Sequence, residues 1–256
     1  IGEYTGDNAT TGGYNVAFGD LALGSATLTG TYNVAGGYSA LRNATSGDYN
    51  VAFGKDAGCT MNSGCYNIFL GKNAAKEITT GLNNIAIGCD AASKMGVGSE
   101  NISIGNGAGG RDGTAADNDA SNNISIGAGA GRGLTDGDNN VILGQSSGAC
   151  ITTGTANVLM GNYAGQCHVS GNENVYISHC AGRCMYDGSN NIAIGQHALQ
   201  GSSVVTDNTG GLNIAVGKGA GCAMTSGTYN HLFGYNAGQE ITSGFRNNAM
   251  GNSALE

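Results

Sequence analysis

Proline and tryptophan are absent from the 256 residues, and only 11% of them carry a charge. With so few charged groups, solubility must rest on Asn, Ser, Thr and Gly. Ten basic residues face 18 acidic ones, a formal net charge of −8. That balance argues against a nucleic-acid backbone or an anionic membrane surface as partner. No apolar run approaches the roughly 18 residues of a membrane span, so none is expected. The opening IGEYTGDNAT has neither a basic stretch nor a hydrophobic core, and no signal peptide is read there. The chain starts and stops inside its own repeat, which suggests a piece of something longer. What abounds is glycine, 48 residues. Such a level belongs to collagen-like or low-complexity chains. Neither fits, because glycine here follows a far longer period than three.

That period is set by an Asn opening each short apolar run: Asn15, Asn33, Asn50, Asn67, Asn84, Asn101, Asn123, Asn140, Asn157, Asn174, Asn191, Asn213, Asn230 and Asn247. The usual spacing is 17, with one step of 18 and two of 22, the longer units starting at Asn101 and Asn191. The unit reads N-ϕ-x-ϕ-G-x-x-A-G/L, three variable residues, then T-T/S-G and two more. Gly stands four after the Asn in every unit but one, where Ser178 replaces it. A recurrent Gly points to positive φ or to a very close neighbour. A second Gly column, including Gly47, Gly64 and Gly81, reads as a second corner.

A 17-residue unit is too short for a helix, a strand and two loops, but it suits one coil of a parallel β-solenoid. The fold expected is all-β, about fourteen coils packed as a homotrimer. Residues 1–14 form an N-terminal lead-in that continues the repeat, and 15–256 one solenoid domain. Stacked coils place the Asn side chains directly above one another as a hydrogen-bonded ladder. Strand side chains alternate. Positions one and three after the Asn, nearly all Val, Ile, Leu or Phe, are expected to face inward. The middle position then points outward, yet it carries Phe69, Ile142, Leu159, Tyr176 and Leu232. Strands apolar on both faces are usually covered on both. Those five residues are therefore the expected interface with further copies of the chain, three around an axis being favoured.

The stretches YNVAFGDLALGSATLTGTYNVAGGYSAL and TGLNNIAIGCDAA resemble the 17-residue repeats of phage tail-fibre and adhesin-like proteins. Those repeats often precede a self-cleaving chaperone domain of the endosialidase type. More distantly, the unit is similar to the β-roll heads of trimeric autotransporter adhesins. The resemblance spans nearly the whole chain from about Gly12. It implies an extracellular or virion-surface homotrimer used as a fibre shaft or attachment element. The chain departs from that pattern in its eight cysteines and in having no chaperone domain after Glu256.

Cys150, Cys167 and Cys184 hold one place in three consecutive coils, within reach of a disulfide at a coil spacing of about 4.8 Å. Cys150–Cys167 or Cys167–Cys184 is expected, with Cys180 an alternative partner for Cys184. Cys59 and Cys65 are a second candidate pair. An oxidising location follows. Cys167, His168, His179, Cys180 and Cys184 match no zinc spacing. No metal and no cofactor are therefore expected. GNGAGG at 105–110 and GQSSG at 144–148 imitate nucleotide and nucleophile motifs but fall on repeat positions, and no catalytic residue is read. The two insertions carry Asp112, Asp117, Asp119 and Asp207, candidate ligand loops for calcium or sugar hydroxyls. NAT at 8–10 and 43–45 are glycosylation sequons. A Thr column (Thr45, Thr79, Thr135, Thr152, Thr225, Thr242) raises a flat ice- or glycan-binding face. The favoured reading is a non-catalytic extracellular fibre or adhesin shaft. Its partner is itself, with end-to-end filament growth conceivable and surface glycans a further candidate partner. A monomeric binding solenoid and a subunit of a secreted filament are the alternatives.

Overall fold

The computed structural model describes residues 2–6, 10–24, 27–110, 112 and 118–255, apart from the side chain of Val205. The chain is an all-β parallel solenoid, with no α-helix among the described residues. Two compact units compose it. The first is Ile1–Ala128 with Leu134–Asp136; the second is Gly129–Gly133 with Gly137–Glu256. The first holds β1 (Val16–Phe18), β2 (Val34–Gly36), β3 (Val51–Phe53), β4 (Ile68–Leu70), β5 (Ile85–Ile87), β6 (Ile102–Ile104) and β7 (Ile124–Ile126). The second holds β8 (Val141–Leu143), β9 (Val158–Met160), β10 (Val175–Ile177), β11 (Ile192–Ile194), β12 (Ile214–Val216), β13 (His231–Phe233) and β14 (Asn248–Met250). Within each unit every strand pairs in parallel with the next and in register, so Tyr176 lies between Leu159 and Ala193.

The Asn column is the ladder its spacing predicts. In the first unit, the Asn67 backbone N–H and Nδ2 both donate to Asn50 Oδ1 at 3.0 Å, and Nδ2 also donates to Gly81 O at 2.9 Å. Meanwhile the Asn67 carbonyl accepts from Val51 N at 2.8 Å. The Asn67 side chain thus joins the Asn of the preceding coil, the second corner and, through Oδ1 accepting from Asn84 N at 2.9 Å, the strand start of the next coil. That is why the carboxamide recurs where a hydroxyl or carboxylate would leave a group unmatched. The first glycine column sits at positive φ, +138° at Gly54, and a Cβ there would lie 2.4 Å from Gly71 O. At Gly47, in the second column, the reason is approach alone: a Cβ would meet Gly64 O at 2.1 Å. Ser178, the exception in the first column, keeps φ +115° despite its side chain. Further corners turn through the left-handed region with ordinary residues, such as Tyr49 (φ 58°), Asp56 (φ 57°) and Leu41 (φ 47°).

The two faces of the strand are the reverse of the expectation. The middle residue points into the coil: Phe69, Ile142, Leu159, Tyr176 and Leu232 are all fully buried within a single chain. They are core, not subunit interface. The physical reason is volume. The coil interior holds the middle residue opposite the residue six later, and in several coils their sizes compensate. Ala35 faces Leu41 and Ala193 faces Leu199, whereas Ile142, Leu159, Tyr176 and Leu232 face Gly148, Gly165, Gly182 and Gly238. A Cβ on Gly182 would stand 2.4 Å from the Tyr176 ring. Where both are small, as at Ala52 and Gly58, the gap is filled from neighbouring coils by Phe69 and Leu41. Ala215 and Gly221 are filled in the same way by Leu232 and Leu199.

A third inward column follows the Ala: Met61, Ile78, Met95, Ile151, Met185 and Met224, all buried. His168 occupies that column in its coil and is fully buried. Its Nδ1 lies 2.8 Å from Met185 O and its Nε2 2.8 Å from Gly171 O. A neutral imidazole has one N–H and meets only one of these carbonyls as a donor. Burial holds its pKa below the usual value near 6.5, against the backbone carbonyls of Met185 and Gly171 and the charge of Asp187. The unfolded chain therefore takes up a proton before the fold does. Stability is full above about pH 6.5 and falls as the pH drops towards the folded value. Unfolding measured from pH 7 to 5 should show this loss, and His168→Met, the residue its column favours, should flatten it.

Both insertions close on a buried Asn. Asn118 Nδ2 donates to Leu134 O at 2.9 Å. Asn208 brackets its loop by accepting from Ser202 N at 3.1 Å and donating to Ser202 O at 2.9 Å. A single 3-10 turn, Val205–Asp207, lies inside the second loop.

Candidate interaction face and thiol column

With the middle residues inside, the first and third strand positions form the outer surface of the sheet. All of them but buried Gly36 are at least partly exposed, and Val16, Phe18, Phe53, Ile68 and Ile126 are exposed outright in the first unit. In the second unit Met160, Ile194, Phe233 and Met250 are exposed. Two columns thus cross the seven strands of each unit, apolar throughout the first unit except at Gly36 and, at the first position of the second unit, over the five strands from Val141 to Ile214. At about 4.8 Å per strand the strip in one unit is about 29 Å long. Contiguous exposed apolar surface of this kind is where an interaction site is sought. Gly36, the one gap in the third-position column, is filled by neighbours: the Phe18 and Phe53 rings close over it with centroids 5.6 Å apart. His231 and Asn248 end the first-position column on polar residues.

Family models, curated proteins and solved structures were compared with the chain, and none matches.

Beside this face, in the residue before each Asn, Tyr14, Tyr32, Tyr49 and Tyr66 stack nearly parallel, with centroids 4.9 to 5.2 Å apart. Coil spacing matches ring stacking, so their faces are spent on one another. The Thr column is spent too. Thr45 Oγ1 donates to Asn62 O at 2.8 Å, Thr79 to Gly96 O at 3.1 Å and Thr225 to Thr242 O at 3.2 Å. These hydroxyls stitch corners together rather than present a free hydroxyl lattice.

The eight cysteines are free thiols. Cys150, Cys167 and Cys184 form the column their spacing predicts, Cys167 being hydrogen-bonded to both neighbours. Cys59 and Cys65 belong to different places in the coil; Cys65 Sγ accepts from Asp48 N at 3.3 Å. The hydrogen bond from Cys167 draws the Cys184 thiol down to about 7 against the opposing effect of burial, with Arg183 helping. Burial pushes Cys59 and Cys222 up. At neutral pH about half of Cys184 is then thiolate, and thiolate is the reactive form. Iodoacetamide at pH 7, read by peptide mass, should label Cys184 about tenfold faster than Cys59 or Cys222. Equal rates would refute the column's effect.

Of the acidic loop candidates, Asp112, Asp119 and Asp207 are exposed, and none joins a grouping of three potential metal ligands among the described residues. Asp117 lies outside the described residues, as does Asn8 of the first sequon; Asn43 of the second is exposed. Ser146, of the GQSSG string, stands at a repeat corner with φ 53°.

Proposed function

We propose that the chain is a non-catalytic structural element, an extracellular or virion-surface fibre shaft that associates with further copies of itself, three being favoured. The observation that carries this is the outer sheet face. Its strands are apolar on both sides, and only the middle residue is covered by the chain itself. Parallel sheets with such strands are normally covered on both faces, and the chain offers no helix to do it among the described residues. A second copy supplies a matching periodic surface, because the same 17-residue spacing runs through each. The resemblance to tail-fibre and adhesin repeats supports the same reading, and attachment to surface glycans would then belong to the insertions.

Light scattering on the eluting protein tests it. Three chains of 25.4 kDa give about 76 kDa. The pair Ile87→Lys and Ile104→Lys, both partly exposed on the outer face, should reduce the mass to a single chain with the circular dichroism unchanged. The equivalent change at buried Phe69 should unfold the coil instead. A single-chain mass for the unaltered protein would sink the reading and favour a monomeric binding solenoid.

A further inference from the structure

Within the second unit, three metal-ligating side chains from two adjacent coils converge. His179 and Cys180 follow β10, and His197 stands in the next coil at the place Cys180 occupies in its own. The backbone holds them: His197 N donates to His179 O at 3.1 Å, and Cys180 N donates to Asn162 O at 3.0 Å. Both Cys180 and His197 sit at left-handed corners, φ 58° and 61°. The imidazole rings of His179 and His197 meet edge to face, centroids 5.5 Å apart. All three ligand atoms lie within 4.8 Å of one another.

We propose that His179, Cys180 and His197 form a binding site for a single zinc-class divalent cation, with the fourth tetrahedral position open to solvent. Two imidazoles and one thiolate are the donor set such an ion takes. The spacing agrees. Zn–S of about 2.3 Å and Zn–N of about 2.05 Å at a tetrahedral angle place the two ligand atoms about 3.6 Å apart. Cys180 Sγ and His179 Nε2 are 3.6 Å apart. The Nδ1 atom of His197 is buried with no hydrogen-bond partner, a donor or acceptor without a purpose in the coil itself. Cys180 is buried and His179 exposed, so the site has an inner anchor and an outer entrance. The edge of the Tyr163 ring braces His179 at 6.2 Å. The remaining residues of these columns, Gln145, Asn162 and Gln196 beside Ser146 and Gly219, do not repeat the set. The geometry therefore describes one site rather than a ladder of them. Binding displaces the Cys180 proton to solvent.

The test is a cobalt(II) titration of the full chain under a thiol-free reductant. It should give a thiolate-to-cobalt absorption band and tetrahedral d–d bands saturating at one equivalent, both abolished by added zinc. Cys180→Ser should remove the thiolate band. His197→Ala should weaken binding by at least about tenfold, since even the loss of a ligand's supporting partner does that. The triple change of Cys150, Cys167 and Cys184 to Ser should leave the titration unaltered. Circular dichroism confirms that each variant is folded. The absence of a one-equivalent thiolate band in the unaltered chain would overturn the site. So would a band that survives Cys180→Ser and vanishes in the triple variant, which would move the metal to the thiol column.

Discussion

Asn157→Ala is expected to lower the unfolding free energy by about 4 kcal/mol, a large effect for one small polar side chain. Four hydrogen bonds disappear. Asn157 Nδ2 donates to Asn140 Oδ1 and to Gly171 O, each at 3.0 Å. Its Oδ1 accepts from Asn174 N at 2.9 Å and from Asn174 Nδ2 at 3.0 Å. The methyl of alanine replaces none of them, and Asn174 N is left buried without an acceptor. A stranded buried group costs about 1–3 kcal/mol, and each further lost bond about 1. No water reaches the column, since Asn140, Asn157 and Asn174 are fully buried. The loss should be local, because coils in a solenoid contact only their neighbours. Amide exchange should therefore accelerate most around residues 140–191. Asn15, half-exposed and with no described Asn before it, loses only two bonds, to Gly30 O and from Asn33 N, and should cost about 2 kcal/mol on the same change. Equal losses at the two positions would show that the ladder is a passenger of packing.

The second large effect is a pair that rescues itself. Tyr176→Ala alone should cost about 4 kcal/mol, because it empties a fully buried ring site. Gly182→Leu alone should cost as much through overlap, given a Cβ position 2.4 Å from the ring. Together they recreate the Ala193 and Leu199 arrangement of the adjacent coil. The backbone permits it: Gly182 has φ 57°, and Leu199 adopts φ 45° with a side chain. The double variant should recover most of both losses, a coupling of several kcal/mol between residues that touch. Denaturant unfolding of the two single variants and the double one measures it. Additive losses would mean that the ring and the corner do not share one space, and the inward assignment of the middle residue would fall with it.

Much of this arrangement was legible in the residues. Repeated Asn and Gly announce backbone events that only those side chains serve. The thiol column followed from register alone, since equivalent positions of adjacent coils must be neighbours. Less was legible about the site in the second unit. His179 and Cys180 were visible as potential ligands, but His197 lies 17 residues from Cys180 and reaches it only because the coil returns to the same corner. His168, grouped with them by proximity in sequence, belongs to the core, where its column otherwise carries Met and Ile.

By itself the sequence determined the period, the parallel coil, the ladder and the glycine corners, because each depends on a local backbone requirement repeated at one spacing. Only the tertiary structure decided which side of the strand is inside. Alternation separates positions one and three from position two, but both sets are apolar, and polarity could not choose between them. Volume chose. The coil interior takes the middle residue and the corner residue together, so in several coils Ala pairs with Leu and Tyr or Leu with Gly. Where both are small, at Ala52 and Gly58 or Ala215 and Gly221, a neighbouring coil's large residue fills the space. The outer columns keep Val, Ile and Phe without any such exchange. That compensation was written in the chain at Ala35 and Leu41, Tyr176 and Gly182. It acquires meaning only when the corner is known to fold back over the strand.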